Sequence, residues 1–236
     1  MLYYNPEGMC HMELHDKKHI IALAVLFLLY SLCGQWIYEQ SGIYIHRAMS
    51  WNIILAILPY VCMIAFVKAE RANHKALAAL LLIIWLFLFP NVPYLMTDFI
   101  HISPLTFYIF DNTGTQYLRE VMPWLELSHI ALGVWFGMMV GYRSLYQLHH
   151  LLRHKYTAIY GWMMVTVVSI LSGYGVFLGR FLRLNSWDIL HPASLLREVI
   201  VHNDLFALRF TIFFSIFILV SYTIYYLMVY RKDARE

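Results

Sequence analysis

The sequence predicts an all-α fold, a polytopic membrane helix bundle of six transmembrane helices whose third is broken by Pro90 and Pro93. Three observations predict it. Charged residues make up 13% and hydrophobic residues 61% of the 236 positions, whereas a soluble domain carries about 25% charged residues. Six apolar runs each offer the roughly 20 residues that a bilayer core requires. Aromatic residues reach 17%, with 18 Tyr and 7 Trp, which suits belts at the two membrane interfaces.

The chain reads as one integral membrane domain over 1–236, with a polar segment at 1–19 ahead of the first run. The run 20–38 is long enough to span, and no small-residue cleavage site follows it, so it reads as an uncleaved helix. Further spans are expected at about 49–67, 76–96, 123–146, 158–180 and 204–230. Pro123 suits a first helical position, and Asn203 or Asp204 suits an N-cap.

Every lysine falls on one side of this arrangement, together with both termini. By the positive-inside rule that side is the cytoplasm, in a multi-pass protein of the cytoplasmic membrane. The opposite side receives only arginines among its basic residues, interleaved with acids, and holds the two longest connections, about 102–122 and 181–203. Connections of that length are more often functional than merely linking. A formal charge of +3 gives no basis for a nucleic-acid partner. Cys10, Cys33 and Cys62 have neither metal-site nor disulfide spacing. The lipid bilayer is the partner that composition implies; oligomeric state is not written in it.

The chain is organised around Trp85–His101, which begins as an apolar helix and meets two prolines. A proline lacks the N–H that would serve the carbonyl four residues back, here Leu86 and Phe89. The residues before them, Phe89 and Val92, are expected to leave helical dihedrals. Freed carbonyls in hydrocarbon need protein or water, so the break should face the bundle interior or a wet cavity. Beyond it Asn91, Tyr94, Asp98 and His101 share one arc of a resumed helix.

The fourth span carries Gly133, Gly137 and Gly141 at spacing four, a stripe that permits close helix approach. Glu126 and His129 lie on the same arc. Glu-x-x-His is a spacing used by metal-binding bundles, and Asp98-x-x-His101 repeats it. Asp98, His101, Glu126 and His129 are therefore the candidate catalytic and metal-ligating residues, with a divalent metal as the expected cofactor. The plainer reading of Glu126 is a carboxylate serving the first turn of its helix. Ser172, Gly175 and Gly179 form a second small-residue arc shared with Arg183. The run Gly179–Asp188 adds Arg180, Arg183, Asn185 and Asp188, and arginine forks suit phosphate and carboxylate. With Asn91 and Tyr94 these are the candidate substrate-binding residues, against the bland reading of snorkelling arginines paired with local acids. The histidines around His149 and His150 read as a solvated basic loop rather than a metal site.

Phe-Pro-Asn-Val-Pro-Tyr-Leu-Met-Thr-Asp-Phe-Ile-His101, with Gly179-Arg-Phe-Leu-Arg-Leu-Asn-Ser-Trp-Asp188, resembles a bacterial multi-spanning membrane-protein family catalogued as domain of unknown function 1361. The likeness covers roughly Trp85 to Tyr230. It implies a bacterial source and supports these two motifs as the centre, without supplying a reaction. The residues point to a polar, metal-binding site at the extracytoplasmic face without naming a reaction; a hydrolase acting on a lipid or envelope substrate, with metal-activated water, is one reading of it. A transporter and a non-catalytic envelope assembly factor are the alternatives. The double-proline break has no counterpart in the other half, which counts against an inverted-repeat carrier.

Overall fold

The computed structural model describes residues 16–184, 201 and 204–233, and their side chains at 21–184, 201 and 204–230. The helices are α1 (Asp16–Ser41), α2 (Ile45–Arg71), α3 (Lys75–Leu88), α4 (Asn91–Tyr94), α5 (Met122–Lys155), α6 (Ala158–Phe181) and α7 (Leu205–Asp233). A 3-10 segment, Leu95–Ile102, follows α4. Among the described residues six helical stretches are long and apolar enough to cross a membrane, the third running from Lys75 to Ile102. The protein is thus a membrane-spanning helical protein.

Two compact units are separable, the division falling within α2 after Ser50 and within α5 after His129. The first holds residues 16–50 and 106–129, namely α1, the start of α2, most of the connection from the 3-10 segment to α5, and the first turns of α5. That connection is not plain loop. It forms a hairpin of β1 (Tyr108–Asp111) and β2 (Gly114–Tyr117), with Tyr108 opposite Tyr117 and Asp111 opposite Gly114. The sequence reading assigned no strand here. Asp111 closes the turn by accepting from the Thr113 N–H at 2.8 Å and the Thr113 hydroxyl at 2.6 Å. Gly114 sits at φ +118°, a conformation open chiefly to glycine.

The second unit holds residues 51–105, 130–184, 201 and 204–233. Its centre is the stretch around the two prolines, and here one expectation is corrected. Phe89 keeps φ −59° and ψ −34°, and Pro90 keeps φ −55° and ψ −23°; neither leaves the helical region. Regular α-helix stops at Leu88, but the backbone tightens there rather than leaving helical dihedrals. The Val92 N–H reaches the Phe89 carbonyl at 2.9 Å, an i→i−3 bond that replaces the donor missing at Pro93. The Asn91 amide donates to the Leu88 carbonyl at 2.8 Å, and the Thr97 hydroxyl to the Tyr94 carbonyl at 2.6 Å. The 3-10 winding then continues to Ile102.

Glycines on two helices receive this stretch. A Cβ at Gly137 would collide with Leu95 Cδ1, and one at Gly141 with the Val92 side chain. On α6 a Cβ at Gly175 would lie 2.8 Å from Pro90 Cβ and one at Gly179 3.2 Å from Tyr94 Cε2. Gly137 and Gly141 of one predicted stripe and Gly175 and Gly179 of the other therefore pack the same six-residue stretch, Pro90–Leu95. Trp85, buried above it, donates its indole N–H to the Ser144 hydroxyl at 3.0 Å. Helix α6 also packs along α7, where a Cβ at Gly173 would stand 2.8 Å from the Thr211 carbonyl.

Candidate functional site

Two polar clusters are buried in spans, one in each unit. In the second unit Asp98, 1% exposed, lies on the 3-10 segment. Arg180, at the end of α6, donates to Asp98 Oδ1 at 2.6 Å, and Asn52 of α2 donates to Oδ2 at 2.8 Å. Arg180 Nε also donates to the Thr97 hydroxyl at 2.8 Å, and the guanidinium carbon lies 4.4 Å from the Tyr94 ring centre. Both Asp98 oxygens thus receive charged or amide donors, which is what a carboxylate at membrane depth requires. Three helical elements, α2, the 3-10 segment and α6, are tied by this one carboxylate. Gly179 permits the arrangement by letting the Tyr94 ring approach the α6 backbone.

The first unit holds the other cluster. His129, 3% exposed, and His46, fully buried, face each other with Nδ1 atoms 3.2 Å apart. The Tyr30 ring stacks on His129 with centres 4.2 Å apart, and its hydroxyl donates to the His129 carbonyl at 3.1 Å. The chemistry of the contacts sets the tautomers. His129 Nε2 lies 3.4 Å from the Tyr30 carbonyl, an acceptor only, so Nε2 carries the hydrogen. His129 Nδ1 is then an acceptor, and His46 Nδ1 donates to it, which leaves the lone pair of His46 on Nε2. Gly34 makes room for the pair: a Cβ there would stand 2.5 Å from the His46 carbonyl and 2.7 Å from His129 Nε2. Glu126, one turn before His129, is 3% exposed and has no hydrogen-bond partner among the described residues.

The sequence-predicted residues distribute as follows. Asp98, Tyr94 and Arg180 meet. Asn91 is half-buried and its amide is engaged with the Leu88 carbonyl. His101 is half-buried on the same 3-10 segment as Asp98. Glu126 and His129 are buried, as their shared arc with the glycines predicts. Arg183 is exposed at φ +56°, a left-handed residue through which the Leu184 N–H returns to the Leu178 carbonyl at 3.3 Å. Asn185 and Asp188 lie outside the described residues, as do His202 and Asn203. Asp204 caps α7, accepting from the Ala207 N–H at 2.9 Å. Among the described residues no three His, Cys, Asp or Glu side chains stand together as a metal-holding group. The sequence reading missed His46, Tyr30, Gly34, Asn52 and Thr97. Elsewhere, at the α2–α3 turn, the exposed residues His74–Leu77 line an open surface depression.

These features define a polytopic α-helical membrane protein with polar side chains gathered inside its spans. The chain belongs to the family described as "Protein of unknown function (DUF1361)", which matches residues 51–221. The match begins earlier than the resemblance seen from Trp85 and stops short of Tyr230. It takes in Asn52, Tyr94, Thr97, Asp98, Glu126, His129 and Arg180, and leaves Tyr30, Gly34 and His46 outside. No curated protein and no solved structure was found to match the chain.

Proposed function

We propose that this protein catalyses a hydrolytic step on a lipid or envelope substrate at the extracytoplasmic face of the cytoplasmic membrane. The His46–His129 pair carries the reading. Two buried imidazoles joined Nδ1 to Nδ1 at 3.2 Å form a polarised dyad. His129 holds His46 in one tautomer, so that His46 Nε2 is the basic atom, in the way a second group orients a general base elsewhere. Tyr30 and Gly34 fix the position of His129. His46 Nε2, itself buried, would accept the proton of a water in a conformation that admits water to it, and His129 is the residue that positions it.

A second reading has its own support in Glu126. Glu126 is 3% exposed and has no hydrogen-bond partner among the described residues, and a divalent ion would satisfy it if His129 turned its Nδ1 from His46 to the ion, water or substrate filling the remaining positions. Asp98, by contrast, already has two donors on its oxygens.

The test is incubation of the purified protein, reconstituted in nanodiscs, with total lipid and envelope extracts, followed by mass spectrometry of the products. Wild type should release a hydrolysed product, His46→Gln should release none, and His129→Gln should retain a fraction with a displaced pH profile. Full activity in His46→Gln would sink the dyad. Metal retained by wild type and lost in His129→Gln, measured on protein extracted without chelator, would transfer the role to the Glu126 reading.

A further inference from the structure

The far end of the second unit, at the C-terminus of α5, carries a cluster that the proposed chemistry does not use. Arg153 donates through one NH group to the Tyr226 hydroxyl and through the other to the Tyr230 hydroxyl, the latter at 3.1 Å. Its guanidinium carbon lies 4.7 Å from the centre of the Tyr230 ring, and the Tyr226 and Tyr230 rings stack at 5.3 Å. Behind them His149, expected in a solvated loop but fully buried on α5, stacks on Tyr226 at 4.9 Å and pairs with the Tyr222 hydroxyl at 2.9 Å. Nearby cations sit on rings too: Arg143 lies 5.6 Å from the Tyr146 ring centre and Lys155 5.7 Å from that of Tyr156.

The donor count decides what this cluster takes. A guanidinium has five N–H donors and no acceptor. A phenol oxygen that accepts from it still has its own O–H to give, and neither Tyr226 nor Tyr230 gives that hydrogen to an acceptor among the described residues. The cluster therefore has donors still to give: the remaining guanidinium N–H groups and two phenol O–H groups. Charge points the same way. Arg153 has no carboxylate partner among the described residues, where the described ion pair is Arg180–Asp98. The helix dipole supplies about −0.5 charge at the end of α5, which is less than the two positive charges of Arg153 and Lys155. A helix end with converging donors, surplus positive charge and aromatic rings at a membrane interface fits an anion with several acceptor oxygens.

We propose that Arg153, Tyr226 and Tyr230 form a phosphate-binding site, filled by the headgroup of an anionic phospholipid or by a soluble phosphate. The full chain, purified in maltoside detergent and stripped of lipid, distinguishes the two sources. Phosphatidylglycerol is compared with diacylglycerol of the same acyl chains, and sodium phosphate with sodium chloride at equal ionic strength. The site raises the thermal unfolding midpoint by roughly 2–4 °C with phosphatidylglycerol over diacylglycerol if the source is lipid, and by a similar amount with phosphate over chloride if it is soluble. Arg153→Gln abolishes the rise. Tyr226→Phe/Tyr230→Phe, which keeps the cation and removes both hydroxyls, halves it or more, and serves where Arg153→Gln fails to fold. No rise with either probe, or a rise that survives the double tyrosine substitution unchanged, overturns the site.

Discussion

Replacing Arg180 by methionine removes the strongest donor to a carboxylate that is 1% exposed. Asn52 would remain as the single donor, at 2.8 Å. Breaking a buried pair from one side costs about 3–5 kcal/mol, because the surviving charge is left uncompensated. For a chain of this size that corresponds to a fall in the unfolding midpoint of about 6–20 °C. Asp98→Asn breaks the same pair from the other side, with a smaller loss. The Arg180 side chain is 16% exposed, keeps Thr97 and the Tyr94 ring, and can turn its charge toward water. The loss is then that of a hydrogen bond to a charged group, about 1.5–3 kcal/mol. Removing both charges, Asp98→Asn with Arg180→Met, should return stability toward wild type, since no unpaired buried charge then remains. Thermal unfolding of the four proteins in one detergent, followed by intrinsic fluorescence, measures the cycle. Losses that simply add in the double variant, or an Asp98→Asn loss as large as that of Arg180→Met, would refute the reasoning.

The glycine contacts predict a graded pair of substitutions. Gly141→Ala should destabilise by about 1–3 kcal/mol through overpacking, because its Cβ meets three atoms of the β-branched Val92 side chain. Gly137→Ala should cost less, since the nearest obstacle is the terminal Cδ1 of Leu95, which can rotate away; equal midpoints for the two would count against the close approach of α5. For sidedness, a single cysteine placed at Phe110 should react with a membrane-impermeant thiol reagent in intact cells, and one at Glu70 should not. The reverse pattern would overturn the orientation drawn from the lysines.

The six spans were readable because hydrocarbon length and helical rise leave little choice for an apolar run. The glycine stripes were readable for a related reason: spacing four places them on one face, and the face that admits another backbone is the one without side chains. Their partner was not readable. Nothing in the spacing of Gly137 and Gly175 says that both receive the same proline-bearing stretch. The dihedrals around the two prolines were misjudged because local rules for a lone proline ignore the i→i−3 bond from the Val92 N–H to the Phe89 carbonyl, which stands in for the donor missing at Pro93, and the Asn91 amide that serves the Leu88 carbonyl. Asn52 had a signal, a lone carboxamide inside an apolar run, that went unused. His46 had almost none: one histidine at a helix start acquires meaning only when Gly34 lets a second imidazole reach it. The hairpin was hidden by length, since two four-residue strands around Asn112 and Thr113 leave a periodicity too short to separate from loop.

Helix α5 is 34 residues long and α6 is 24. At 1.5 Å per residue these are about 51 Å and 36 Å, against a hydrocarbon slab of about 30 Å. The surplus of α5, roughly 20 Å, must stand in the headgroup layers or in water, so its terminal turns are free of the constraint that lipid tails impose. Helix α6 has almost no surplus. Bilayer thickness therefore bears on α6, and through Arg180 on the carboxylate it holds: a thinner membrane is met by tilting α6, and a thicker one draws its arginine end inward.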